Sequence, residues 1–175
     1  NDGFYYVIDS IVPLEVGSRK TTMDEIAAEV ARDFGGDLED VRIQEPDTIV
    51  ARLAREKLKD VARRLKAHEG LAYETLNWIA GLDLGSRFES VYHVFSWRTN
   101  TWIELHVPVP KAEPEVDTVT DVWPAADWHE RESWDMVGIR YAGHPDLRRI
   151  LLKDDFVGHP LRKDYVDLAE NHPHA

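Results

Sequence analysis

The run from Phe88 to Val109 constrains the fold more than any other part of the chain. Phe88 to Trp97 is rich in β-branched and aromatic residues, Arg98-Thr99-Asn100 makes a turn, and Thr101 to Val109 returns. On the return, Ile103, Leu105, Val107 and Val109 alternate with Trp102, Glu104 and His106. Successive side chains of a strand point to opposite faces, so this alternation predicts a half-buried antiparallel hairpin. Pro108 and Pro110 are expected to end the return strand.

Helical spacing appears earlier. Thr22-Met23-Asp24-Glu25 has the capping-box pattern, and Ile26, Ala27, Val30, Ala31 and Phe34 form an apolar stripe after it. Gly35-Gly36 stops the stripe, which predicts a helix over 23–34. A second helix is expected over 55–68, with Leu58, Val61, Ala62 and Leu65 buried and a basic opposite face read as a solvated surface. Thr48 to Ala51 reads as a short strand after a Pro46-Asp47 turn, and Leu71 to Leu82 as another. Lys111 to Asp117 is an acidic, Pro-containing loop. The order helix, strand, helix, strand, hairpin suits an α+β fold, a two-layer α/β sandwich. Its small mixed or antiparallel sheet carries helices on one face, and a C-terminal extended arm follows. Residues 1–20, with the apolar run Phe4 to Ile8, read as an N-terminal arm or strand. Residues 21–165 form one domain, and 166–175 a polar tail.

Bulk properties exclude whole classes of function. A net charge of −12 opposes nucleic-acid binding, which needs a basic patch facing phosphate. No apolar run is long enough to span a membrane, and no signal peptide is visible. The chain has no cysteine, which removes disulfides, thiolate zinc sites, thiol nucleophiles and Cys-ligated iron–sulfur clusters together. No G-x-G-x-x-G or P-loop pattern is present.

The stretch Glu130 to Tyr165 is electrically neutral. Seven acidic residues (Glu130, Glu132, Asp135, Asp146, Asp154, Asp155, Asp164) balance seven basic ones (Arg131, Arg140, Arg148, Arg149, Lys153, Arg162, Lys163). Dense balanced charge among large apolar residues suits charges paired within the fold or across to a partner. Asp127 is expected to cap a helix running to about Val137, with Gly138 terminating it. Arg131 and Asp135, four apart, are expected to pair on one face. Pro145 is expected to start a second short helix carrying Leu147, Ile150 and Leu151. Leu161 to Tyr165 is expected to be extended.

Several blocks here together resemble the signature of one family. They are Glu130-Arg131-Glu132, Asp135-Met136-Val137, six further residues and His144, then Arg148-Arg149-Ile150-Leu151. Gly158-His159-Pro160-Leu161-Arg162-Lys163-Asp164-Tyr165 resembles the same family's next block, and Trp123-Pro124-Ala125-Ala126-Asp127-Trp128 fits upstream. The family is the thirty-kilodalton, C-type subunit of proton-pumping NADH:quinone oxidoreductase (respiratory complex I). The resemblance implies a non-catalytic structural and assembly subunit of the hydrophilic arm. It would brace the quinone-site subunit, its D-type partner, which is related to hydrogenase large subunits. The resemblance implies no cofactor in this chain, with FMN, iron–sulfur clusters and quinone in partner subunits. It also implies a peripheral place on the cytoplasmic face of a cell membrane or the matrix face of the mitochondrial inner membrane. Related subunits occur in membrane-bound nickel–iron hydrogenase, formate hydrogenlyase and ferredoxin- or F420-linked respiratory complexes, and the signature does not separate these.

Acid–base catalysis by Glu130, Glu132 and Asp135, in a free-standing small enzyme, is the competing reading. Each carboxylate has an arginine within helical reach, which favours the ionised form and a structural role. Arg148, Arg149, Arg162 and Lys163, with Asp164, read as partner anchors rather than an anion or quinone-headgroup site. His129, His144 and His159 lack metal spacing and sit at turns or helix starts, where a local hydrogen bond is the default. His172 and His174 lie in the polar tail. Trp123, Trp128 and Trp134 suit either a core or interface anchors.

Overall fold

The computed structural model describes residues 21–167 of the chain. The expected N-terminal arm, His172 and His174 lie outside them. The predicted first helix forms as α1 (Met23–Phe34), with Thr22 Oγ1 accepting from the Glu25 N–H and Glu25 Oε2 accepting from the Thr22 N–H. The helix buries Ile26, Val30 and Phe34, the face its spacing announces.

A strand the sequence did not announce follows, β1 (Leu38–Gln44). A register shift between Glu39 and Arg42, with Asp40 at φ 53°, interrupts the alternation that would have marked it. The cis Glu45–Pro46 bond leads into β2 (Thr48–Leu53), antiparallel to β1. A 3₁₀ turn, Arg55–Lys57, enters α2 (Leu58–Ala67), which buries the four residues expected of it. Its basic face folds back on the chain: Arg64 and Lys57 meet Asp37, and Arg63 and Lys59 meet Asp121. Such exposed pairs each contribute little, about 0–1 kcal/mol, but together they occupy the face.

Next come β3 (Thr75–Asp83), β4 (Phe88–Ser96) and β5 (Thr101–Val109). Strand β3 begins four residues later than expected, because Leu71 and Tyr73 are buried in the connection that precedes it. Trp97 lies outside β4, in the turn. The hairpin turn has Asn100 at φ 55°. Pro108 does not end β5 but sits inside it. The β2 pairing stops at Arg52↔His106, so Pro108 lies where β5 has no paired strand on that side and its missing N–H is tolerated. The sheet order is β1-β2-β5-β4-β3, antiparallel except for the parallel β2–β5 pair. This is the expected mixed sheet with helices on one face.

The Lys111 to Asp117 region, expected as loop, contains β6 (Glu115–Asp117). It pairs in parallel with β7 (Arg140–Ala142) after α3 (Ala126–Val137). Helix α3 lies along β3, and Gly81 permits the approach: a Cβ there would stand 2.3 Å from Ser133 Oγ. Helix α3 starts one residue before Asp127, which sits in its first turn and does not cap it. Gly138, at φ 82°, ends it as anticipated. Among the described residues no helix follows Pro145. Residues 143–167 are turns and bends laid over α3, and Leu161 to Tyr165 lies in two successive turns rather than an extended run.

Candidate functional site

Asp135 stands one turn from the end of α3 with its side chain fully buried. The segment that follows α3 folds back so that three consecutive N–H groups, of Ile150, Leu151 and Leu152, donate to Oδ2 at 3.0, 2.9 and 3.0 Å. Arg149 Nη1 donates to Oδ1 at 2.5 Å. Successive backbone N–H groups turned inward form a nest for an anion, and here the anion is a side chain of the same protein. Burial pushes the Asp135 carboxyl up, but the three N–H groups and Arg149 outweigh it and hold the group below the usual carboxylate range. Arg149 also donates through Nη2 to the carbonyls of Phe156 and Gly158, fixing the next stretch of the segment.

The last carbonyls of α3 would otherwise be orphans. They are satisfied in order by the same segment. Asp135 O faces His159 Nδ1 at 3.0 Å, Met136 O accepts from the Leu161 N–H at 2.9 Å, and Val137 O accepts from Arg162 Nε at 2.6 Å. The cation of Arg162 thus sits at the negative end of the helix. A Cβ on Gly138 would stand 2.3 Å from Arg162 Nη2 and 2.6 Å from the His159 ring, so the positive φ and the close approach both require glycine.

The expected Arg131–Asp135 pair does not form. Arg131 instead donates to the carbonyls of Arg148 and Arg149, at 3.2 and 3.1 Å, with Asp127 at 4.0 Å and the Trp128 ring beneath its guanidinium. Helical spacing made the pair possible; the folded-back segment offers Asp135 four donors at once, and these win.

Glu130 departs from the reading that each carboxylate has an arginine beside it. Its side chain is fully buried and meets no lysine or arginine; the nearest basic nitrogen is His144 Nε2, 3.9 Å away. Thr118 Oγ1 donates to it at 2.5 Å and the Val119 N–H at 2.8 Å. Burial raises its pKa to about 7 against those two hydrogen bonds. His144 accepts the Asp146 N–H on Nδ1 and contacts Asp127 O through Nε2 at 3.2 Å. Glu130 and His144 thereby join the β6–α3 connection, the helix and the turn after β7. His129 lies within α3 rather than at its start.

The remaining predicted residues scatter. Glu132 is exposed. Arg148 is exposed and pairs with Asp146 at 2.7 Å. Lys163 is exposed but donates its backbone N–H to Asp83 Oδ2 at 2.9 Å; Asp164 is exposed. Asp83 was missed, although it also accepts from Gly85 N–H and Lys111 and so ties the segment to the end of β3. The Asp-x-Gly spacing is the signal that could have found it. Trp123 is core, Trp134 is half-buried and Trp128 is 63% exposed. With Arg149 and Arg162 turned inward, the segment presents Leu151, Val157 and Leu161 outward, at 61, 59 and 62% exposure, among its exposed charges. Leu161 also lines a shallow groove of about 170 Å³ with Ile79, Ala80, Glu132 and Met136.

Glu29, Asp33 and His68 come within ligating distance of one another, a cluster sequence reading missed. The two carboxylates face opposite ring nitrogens, and His68 Nδ1 already accepts the N–H groups of Gly70 and Leu71. The arrangement is a hydrogen-bonded tie between α1 and the end of α2, not a cradle for an ion.

Likeness to known proteins centres on the same region. The model of the respiratory-chain NADH dehydrogenase 30 Kd subunit family matches residues 51–171. The C-type NADH-quinone oxidoreductase subunit of Acidothermus cellulolyticus is 45% identical over 115 residues, which are 63% of this chain and 60% of that protein. Its counterpart in an Azoarcus species, of the same name, is 39% identical over 151 residues, 81% of this chain and 75% of that one. Among solved structures, the trypsin-resistant fragment (1-134) of Nqo5 superposes with a TM-score of 0.60 at 30% identity, covering 72% of this chain and all of the fragment. A chain of an archaeal membrane-bound sulfane sulfur reductase superposes at 0.74 with 22% identity, covering 86 and 89% of the two chains, a likeness of fold.

Proposed function

Because the chain belongs to the 30 kDa subunit family of respiratory-chain NADH dehydrogenase, we propose that it is a non-catalytic assembly subunit of the peripheral arm of an NADH:quinone oxidoreductase. It braces the quinone-site subunit, while FMN, iron–sulfur clusters and quinone reside in partner chains. It sits peripherally at the membrane; no helix among the described residues is long and apolar enough to cross one.

One observation carries this reading. Four charges of the signature, Asp135, Arg131, Arg149 and Arg162, are used within the chain to hold the 143–167 segment over α3. Outward that segment offers Leu151, Val157 and Leu161 set among exposed charges, Arg148, Lys153, Asp154, Lys163 and Asp164. Exposed leucines and valine interleaved with charges, on a segment fixed by internal hydrogen bonds, suit the mixed apolar and polar character of a docking surface. Catalysis by the carboxylate cluster is disfavoured by the same geometry. Asp135 is held ionised by four donors, Glu130 is sealed from solvent, and Glu132 is on the surface.

The relatives named as NADH-quinone oxidoreductase subunits favour the NADH-linked complex over the hydrogenase- or formate-linked alternative. Mass spectrometry of a gentle membrane pull-down, with this chain tagged, tests the choice. Co-purification of the quinone-site subunit with NADH- and flavin-binding chains is the expected result. A large subunit with intact nickel-ligating cysteines would replace this reading with the alternative, and recovery of the chain alone would end both.

A further inference from the structure

The sheet has a second face. Helices α1 and α2 and the main core lie against one side, where Tyr92, Val94, Ile103 and Leu105 are fully buried. On the other side Trp78 of β3, His93 of β4 and Trp102 of β5 form a continuous stack across three strands. Ring centroids are 4.8 and 4.4 Å apart, with planes 7° and 16° from parallel. Phe95 packs on Trp102 at 4.5 Å, and Trp97, 71% exposed, stands edge-on to Phe95. Half of the chain's six tryptophans therefore stand on or beside a surface that no helix of the described residues covers. The rings consume one another's faces, so what they offer outward is a row of apolar and indole edges.

The rim of this row is acidic. Glu104 and Asp47 lie close enough to His93 to act on its charge, while burial pulls its basicity down. Among the described residues neither carboxylate meets a lysine or arginine. The Glu104 carboxylate meets His106, at 2.7 Å, and the Asp47 carboxylate accepts the Thr48 hydroxyl. The nearby Arg52 and Arg87 are already engaged, with Asp40 and Glu89, and Arg42, on the same face, stands two strands away from Glu104 across Val50. The Glu104 and Asp47 carboxylates beside this row of aromatic edges form a seat for a guanidinium or ammonium whose apolar stem lies along the rings. A chain of net charge −12 with this acidic rim opposes an anionic lipid surface, which would otherwise suit exposed tryptophan.

We propose that the open sheet face centred on Trp78, His93 and Trp102 docks a cationic, apolar protein segment of a neighbouring subunit, an arginine or lysine seated between the aromatic row and Glu104. This is a contact separate from the 143–167 segment. It rests on the assembly reading only in drawing the neighbour from the same complex.

A photoreactive benzoylphenylalanine in place of Trp97, and in a second strain of Leu161, can be placed in the full chain within its membrane complex and irradiated. The expected result is a protein adduct at Trp97 whose peptide carries an arginine or lysine beside apolar residues, its yield falling roughly tenfold when Glu104→Gln is added. An adduct at Leu161 with none at Trp97, or a Trp97 adduct to lipid, to a second copy of this chain or to an acidic peptide, rejects this proposal and leaves the assembly reading standing. No adduct at either position rejects both. Thermal melting of the isolated Glu104→Gln chain shows whether a drop in yield is a folding defect. A drop in yield with wild-type melting supports the seat; a yield that falls only in step with stability overturns it.

Discussion

Asp135 is paired with Arg149, fourteen residues further along the chain, and not with Arg131, one helical turn behind it. That choice of partner sets what the signature charges are for. A carboxylate paired along its own helix would leave the following segment free to be ordered by a neighbour. A carboxylate that binds Arg149 and the N–H groups of Ile150, Leu151 and Leu152 builds that segment into the fold before any neighbour arrives.

Asp135→Ala leaves a buried guanidinium and three N–H groups without their acceptor. The expected cost is about 3–5 kcal/mol for removing one partner of a buried pair. Limited trypsin digestion of the isolated chain should show faster cleavage after Arg148, Arg149 and Lys153. Blue-native gels should show less assembled complex at unchanged turnover per complex. Normal assembly with abolished turnover would contradict the structural role.

Arg131→Ala removes two hydrogen bonds to carbonyls, not an ion pair to Asp135. Its expected cost is smaller, about 1–3 kcal/mol. In a double-mutant cycle with Asp135→Ala, the coupling expected is that of two neighbours sharing one segment. It should fall below the coupling of Arg149→Ala with Asp135→Ala, and the reverse ranking would count against the geometry.

Gly138→Ala forces a left-handed residue and drives a Cβ into Arg162 and His159. The expected loss exceeds the roughly 1–2 kcal/mol of backbone strain alone, because the cap on α3 must shift. Differential scanning calorimetry should place it well below Gly85→Ala, where φ is 86° but no atom stands within 4 Å.

Glu130 gives the fold a pH dependence of known sign. Its folded pKa, about 7, lies above that of an unfolded glutamate. Its contribution is therefore fully present below the unfolded pKa and lost as pH rises through 7, on the order of 2–3 kcal/mol. The groups facing it are Thr118, the Val119 N–H, His144, Asp127 and, more distantly, Lys59. Denaturant midpoints between pH 5 and pH 8 should fall less steeply in Glu130→Gln than in the parent. A parent whose stability rises over that window more steeply than the variant's would refute the assignment.

Much of the sheet and of α1 and α2 was legible, because period-2 and period-3.6 patterns and a capping box announce elements that bury one face. What was hidden is non-local. Strand β1 was masked by its bulge at Asp40, and β6 and β7 are too short to show a period. The helix expected after Pro145 fails because the N–H groups of Ile150, Leu151 and Leu152, which a helix would turn along its own axis, are taken by Asp135. The signature residues were found, but their partners were not. A carboxylate's choice between an arginine four residues away and a nest fifteen residues away depends on where the chain folds back, and the spacing along one helix cannot contain that.

Hydrogen exchange at the amides of Ile150, Leu151 and Leu152, in the isolated full chain without any partner, tests this account most directly. Slow exchange in the parent, lost in Asp135→Ala, is the expected result. Fast exchange in the isolated parent, with protection appearing only in the assembled complex, would mean that the signature charges are ordered by a neighbour and that the central claim is wrong.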